Sequence, residues 1–82
     1  MTLEELRAAL GSILVEEQRP HVDWGKVEAL CIEVVGRLNT EPEPEYPHEI
    51  VYHFLDDPDV RRKSPEYAEM QRLRLQKWLG GD

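Results

Sequence analysis

Cysteine is almost missing from this chain. Its 82 residues hold one, Cys31, so no disulfide can form within it. That usage fits a reducing compartment, and a cytoplasmic location is expected. Glycine is sparse and scattered at positions 11, 25, 36, 80 and 81, leaving no glycine-rich loop to cradle a phosphate. Long apolar runs are missing too. No stretch approaches the ~20 residues that span a bilayer, and residues 1–20 lack the apolar segment of a secretion signal, so no membrane association is expected. Positive charge is in short supply: 10 Lys plus Arg against 17 Asp plus Glu give a net charge of −7. Such a surface is repelled by phosphate backbones and anionic lipid, which disfavours generic nucleic-acid or membrane binding.

What is present suits a single domain over residues 1–82, with 40% apolar residues and a thin core. The apolar positions recur at helical spacing. Thr2, three residues before Glu5, forms a capping-box signature ahead of Leu3, Leu6, Leu10, Ile13 and Leu14, and predicts a helix over 3–18. Pro20 ends it by disfavouring helical geometry at Arg19. Asp23 is a good N-cap for a second helix over 24–39. Its apolar residues, among them Trp24, Val27, Leu30, Cys31, Ile32, Val34, Val35 and Leu38, cover an arc of about 200°, which implies contact from more than one side. Gly25, Ala29 and Gly36 share a face where another backbone is expected to approach closely.

Residues 40–46, Thr-Glu-Pro-Glu-Pro-Glu-Tyr, cannot form a continuous helix and read as an extended, semi-rigid linker. Pro47 suits the first position of a third helix over 47–57, in which the adjacent pairs Ile50-Val51 and Phe54-Leu55 break the alternation a strand requires. Asp57-Pro58-Asp59 then reads as a cap followed by a short helical piece or a turn. Ser64-Pro65-Glu66 opens a last helix over 65–79, and Gly80-Gly81 suit a left-handed cap at its end. The expected fold is therefore all-α, a compact bundle of about four helices whose first two form an antiparallel hairpin. Whether the last helix packs in its own chain or swaps into a homodimer is left open by the pattern.

Little in the chain points to catalysis. Cys31 lies mid-arc and reads as a buried apolar residue, Ser64 as a cap, and Ser12 as a polar residue in mid-helix. His48-Glu49-Ile50-Val51-Tyr52-His53 superficially resembles a zinc-protease string, but its histidines are five apart and 140° round the helix, so they cannot share one ion. Glu49, His53 and Asp57 do follow one another at i, i+4 and i+8, and a solvated polar face explains that ladder without a metal. No cofactor, metal or enzymatic activity is expected.

Charge placement is more informative. Residues 41–60 hold seven carboxylates and no Lys or Arg, with Tyr46 and Tyr52 interleaved. An acidic, tyrosine-bearing stretch of this kind steers and anchors a basic partner. The reading that follows is a small acidic interaction protein (an adaptor, inhibitor or accessory subunit) that docks through residues 41–57, with Glu41, Glu43, Glu45, Tyr46, Glu49, Tyr52 and His53 as contacts. The alternative places a nucleic acid on the basic segment 61–77, using Arg61, Arg62, Lys63, Arg72, Arg74 and Lys77. Against it stand the acidic remainder of the chain and the presence of Glu66 and Glu69 where a recognition helix reads bases.

Overall fold

Helices in this chain begin where a side chain takes up the backbone N–H groups that a first turn leaves free. The structure, a computed structural model, describes residues 1–80. Thr2 opens α1 (Leu3–Glu17): its Oγ1 accepts from the Glu5 N–H at 3.1 Å while the Glu5 carboxylate accepts from the Thr2 N–H at 2.9 Å. Asp23 opens α2 (Trp24–Thr40) by accepting from the Lys26 N–H at 3.1 Å. Pro47 lies just outside α3 (His48–Asp56), one residue short of the helical position the sequence suggested for it, and offers no side-chain cap. Asp57 (φ −114°, ψ 34°) interrupts the chain, and Pro58 starts a separate short helix, α4 (Pro58–Lys63). Ser64 then opens α5 (Pro65–Leu79) by accepting from the Tyr67 N–H at 3.3 Å.

The described residues thus form an all-α fold of five helices without a strand, the Asp57-Pro58-Asp59 signal having become α4. At the other end the expected left-handed cap is not formed at Gly80, whose φ of −70° continues the right-handed backbone; Gly81 lies outside the described residues. The carbonyls at this end are taken up from afar. The Arg7 guanidinium donates to Trp78 O at 3.3 Å and to Leu79 O, and lies 4.9 Å from the Trp78 ring centroid.

Helices α1 and α2 run antiparallel, as ion pairs at both ends show: Lys26 to Glu16 at 3.4 Å, and Arg37 to Glu5 at 3.1 Å. The wide arc of α2 is contacted by α1, α3 and α4, and α5 closes the bundle against α3, α4 and α1 of its own chain. The core holds Leu6, Leu10, Ile13 and Leu14 from α1, Val27, Cys31, Val34 and Leu38 from α2, Val51, Phe54 and Leu55 from α3, and Leu75 from α5. Full burial of each large side chain contributes about 1.5–3 kcal/mol. Two expectations for α2 do not hold. Ile32, placed on the apolar arc, is 64% exposed. Gly36 has no neighbour where a Cβ would point and Gly25 only the Asp23 carboxylate, so no backbone approaches either glycine.

The largest fully buried side chain is that of Arg61. Its guanidinium forms a two-pronged pair with Glu17, Nε to Oε1 and Nη2 to Oε2, both at 2.9 Å, and neither side chain is exposed. Nη1 donates to Phe54 O and, at 2.9 Å, to Gln71 Oε1. Nη2 also faces the Cys31 sulfur at 4.0 Å. All five N–H donors of the group therefore have an acceptor, the sulfur being the weakest. The Phe54 ring lies 3.8 Å from the guanidinium carbon. Arg72 donates to Glu17 from the outer side at 3.3 Å.

Removing one partner of such a pair leaves a buried charge uncompensated. Arg61→Ala is expected to cost about 3–5 kcal/mol of folding free energy, while the exposed neighbour change Arg62→Ala stays within about 0.5 kcal/mol. Urea denaturation followed by tryptophan fluorescence checks this. Equal shifts for the two variants would show that the pair does not hold the fold.

Candidate functional site

The acidic stretch that follows α2 is fastened rather than free. Glu41 accepts from Arg37 Nε at 3.1 Å and pairs with the N-terminal ammonium of Met1 at 2.7 Å, and that ammonium also donates to Pro42 O at 3.3 Å. Hydrogen bonding from Arg37 first, and from the N-terminus next, holds the Glu41 carboxyl down at about 2. At the far end of the stretch Tyr46, His48 and Tyr52 stack in series. Their ring centroids are 4.6 and 5.4 Å apart and the planes 15° and 5° from parallel. Tyr52 Oη donates to Asn39 Oδ1 at 3.2 Å, tying the stack back to α2. The linker read from the prolines is thus an extended strap pinned at both ends.

The structure separates the proposed contact residues into two groups. Glu41 is occupied by Arg37 and the N-terminus, Glu43 sits 3.5 Å from His48, and the tyrosines are half-buried in the stack. Burial raises the Tyr46 hydroxyl, whose oxygen is enclosed without a hydrogen-bond partner among the described residues. Glu45, Glu49 and His53 remain exposed. Asp56 and Asp59, on either side of the α3–α4 junction, are exposed as well. Asp57 departs from the ladder of Glu49 and His53. Its carboxylate turns to α5, accepting from Tyr67 Oη at 2.8 Å and Gln71 Nε2 at 3.2 Å. Among the described residues no three His, Cys, Asp or Glu side chains are grouped to hold a metal ion.

The basic segment is divided in the same way. Arg61 is inside the core and Arg72 bonds to Glu17, which removes two of the six cations from any phosphate-facing surface. Arg62 and Lys63 border a depression between α2 and α4, whereas Arg74 borders another between α3 and α5, beside Glu49 and His53. Lys77 is exposed on α5.

A groove runs along α2 opposite the α3–α4 junction. About 370 Å³ of it lies between Glu28, Ile32 and Val35 on one side and Leu55, Asp56, Pro58 and Asp59 on the other, with Cys31 at its base. It continues past Glu28 toward Trp24 and Gly25. The sequence signal for this groove is Ile32, which stands at the limit of an over-wide apolar arc. Cys31 contributes volume rather than reactivity: burial pushes its thiol from 9.0 to about 11, outweighing the nearby Arg61 charge.

Compared with protein-family models, with curated proteins and with solved structures, the chain matches none. None of the described helices is long and apolar enough to cross a membrane.

Two outcomes follow from the titrating groups. Glu41, Glu5 and Glu16 all have folded-state values below their ordinary 4.5, so their stabilisation is complete above that value and drains away as pH falls toward about 2. Thermal melts between those limits should show falling stability, and Glu41→Gln should flatten the fall; an unchanged acid limb would remove Glu41 from it. Cys31 should carry about a hundredfold less thiolate than an ordinary cysteine, so alkylation of the folded protein should be slower than in denaturant by at least that factor. Comparable rates would mean that the thiol is accessible.

Proposed function

We propose that this chain is a non-catalytic, cytoplasmic protein-interaction module that docks a basic partner surface through the acidic side built from residues 41–59. The observation that carries this reading is how opposite charges are allocated. Arg19 and Lys26 pair with Glu16, Arg37 with Glu5 and Glu41, and Arg61 and Arg72 with Glu17. Arg7 is taken by the α5 carbonyls. Six of the ten Lys and Arg side chains are thereby engaged within the fold. Glu45, Glu49, Asp56 and Asp59 have no ion-pair partner among the described residues. Uncompensated carboxylates on a rigid surface create a field that accelerates encounter with a basic protein and rejects acidic ones.

The absence of catalysis is supported by the state of each candidate nucleophile. Cys31 is buried with a raised thiol value, Ser12 donates to Ala8 O at 3.1 Å within its own helix, and Ser64 caps α5. A single unpaired thiol suits a reducing cytoplasm.

Capture by the tagged 82-residue chain from a lysate of the organism that encodes it, with nuclease and a salt gradient, tests the reading. A stoichiometric protein is expected that survives nuclease, elutes as salt rises, and falls at least tenfold with the triple change Glu45→Gln, Glu49→Gln and Asp56→Asn. Undiminished retention by that variant would move the surface elsewhere. Retention lost to nuclease would turn the reading over to the four exposed cations and a nucleic acid.

A further inference from the structure

We propose that the groove between α2 and the α3–α4 junction seats an amphipathic, basic helix of the protein partner. The proposal rests on the acidic-docking reading above and specifies its anchor. Four features of the groove define the occupant. Its apolar lining is Ile32 and Val35 on the α2 bank and Leu55 and Pro58 on the bank opposite. Ile32 is 64% exposed, the most exposed of the large apolar side chains, and is left without cover by the chain's own helices. Both banks carry carboxylates, Glu28 on α2 and Asp56 and Asp59 opposite, and none of the three has an ion-pair partner among the described residues. Glu28, Ile32 and Val35 lie at i, i+4 and i+7, so the α2 bank extends about 10 Å, or two helical turns.

An apolar lining with carboxylates on both banks is complemented by an apolar row flanked on both sides by cations. Two turns of an amphipathic helix with leucine-like residues at i, i+3, i+4 and i+7 and Lys or Arg on either side have that arrangement. Toward Trp24 the α4 bank changes sign, because Arg62 and Lys63 border the groove there, and this limits the basic stretch of the occupant to the same two turns. Gly25 in that wall adds no side chain to narrow it.

The chain has a surface of related chemistry on α5, where Met70, Leu73, Arg74 and Lys77 are exposed at i, i+3, i+4 and i+7. A second copy is nonetheless disfavoured as the occupant. Two bodies of net charge −7 repel, whereas a basic partner is attracted to the same groove.

The test uses the 82-residue chain and two fluorescein-labelled peptides of about 16 residues, made only of leucine and lysine in equal numbers. One has its leucines in a single helical row, and the other has the same residues spread around the helix. Anisotropy titrations at about 0.15 M salt are expected to show roughly tenfold tighter binding of the first. Ile32→Glu adds a carboxylate at an exposed position, so a purely electrostatic contact would tighten. A seated apolar row should instead lose about tenfold for the first peptide, while the second, held by charge alone, tightens. Circular dichroism confirms that the variant is folded. Equal affinity of the two peptides, with both tightened by Ile32→Glu, would overturn the groove and leave acidic docking standing. Binding of neither would take both readings down. Concentration-dependent dimers in sedimentation, abolished by Leu73→Glu, would make a second copy the occupant and overturn the proposal.

Discussion

The ion pair of Glu17 and Arg61 lies where α1, α2, α3, α4 and α5 converge, and the position of α4 depends on it. A helix of six residues has no stability of its own, since nucleation consumes most of what so few backbone hydrogen bonds return. Helix α4 has no apolar anchor either: Arg61 is its one buried residue, and Val60 is 39% exposed. The guanidinium does the work that a leucine would do elsewhere, reaching inward to Glu17, Phe54 O and Gln71. Desolvating both charges is expensive, and an apolar pair of similar volume is often no less stable. A directional contact with five satisfied donors specifies where α4 sits, which a greasy contact in a thin core would leave loose.

That position has consequences at the surface. Fixing Arg61 fixes Pro58 and Asp59 one turn earlier on α4, and these form the bank that faces α2 across the groove. The same network orients Asp57, through Gln71 and Tyr67, so that the α3–α4 junction turns one carboxylate inward and leaves its neighbours Asp56 and Asp59 outside. Core and surface are therefore coupled through six residues of chain. Neutralising Glu17 or Arg61 would disturb the groove as well as the fold, whereas changes at Ile32 or Asp56 touch the surface alone.

Much of the architecture was legible because its signals are local. The Thr2–Glu5 capping box, the Asp23 and Ser64 caps, and the apolar spacing along α1 and α2 each involve residues within a few turns of one another. The buried polar network was not read, although part of its signal was present. Glu17 continues the Leu10–Ile13–Leu14 stripe at i+7, i+4 and i+3, and Gln71 stands between Ala68 and Leu75 on the inward face of α5. Residue type masks position: a glutamate at the end of a stripe carries no apolar signal, and an arginine followed by Arg62 and Lys63 reads as part of a basic surface segment. Their burial requires partners 44 residues apart, which no periodicity of one helix reveals. The strap shows the same division. Its prolines predicted an extended chain, but its attachments to Met1 and Arg37 belong to tertiary structure.

The acidic surface follows from the same allocation that stabilises the interior. With only 10 cations against 17 carboxylates, each Lys or Arg drawn into α1–α2 pairing or the Arg61 network is one fewer to neutralise the outside. Residues 41–60, having no Lys or Arg of their own, depend on other segments for neutralisation, and among the described residues the cations that reach them from elsewhere, Arg37 and the N-terminal ammonium of Met1, both go to Glu41. Glu45, Glu49, Asp56 and Asp59 have no cation placed to compensate them among the described residues. A partner that covers this face must therefore bring the positive charge with it. The uncovered Ile32 between Glu28 and Asp56 adds that this charge should flank something apolar.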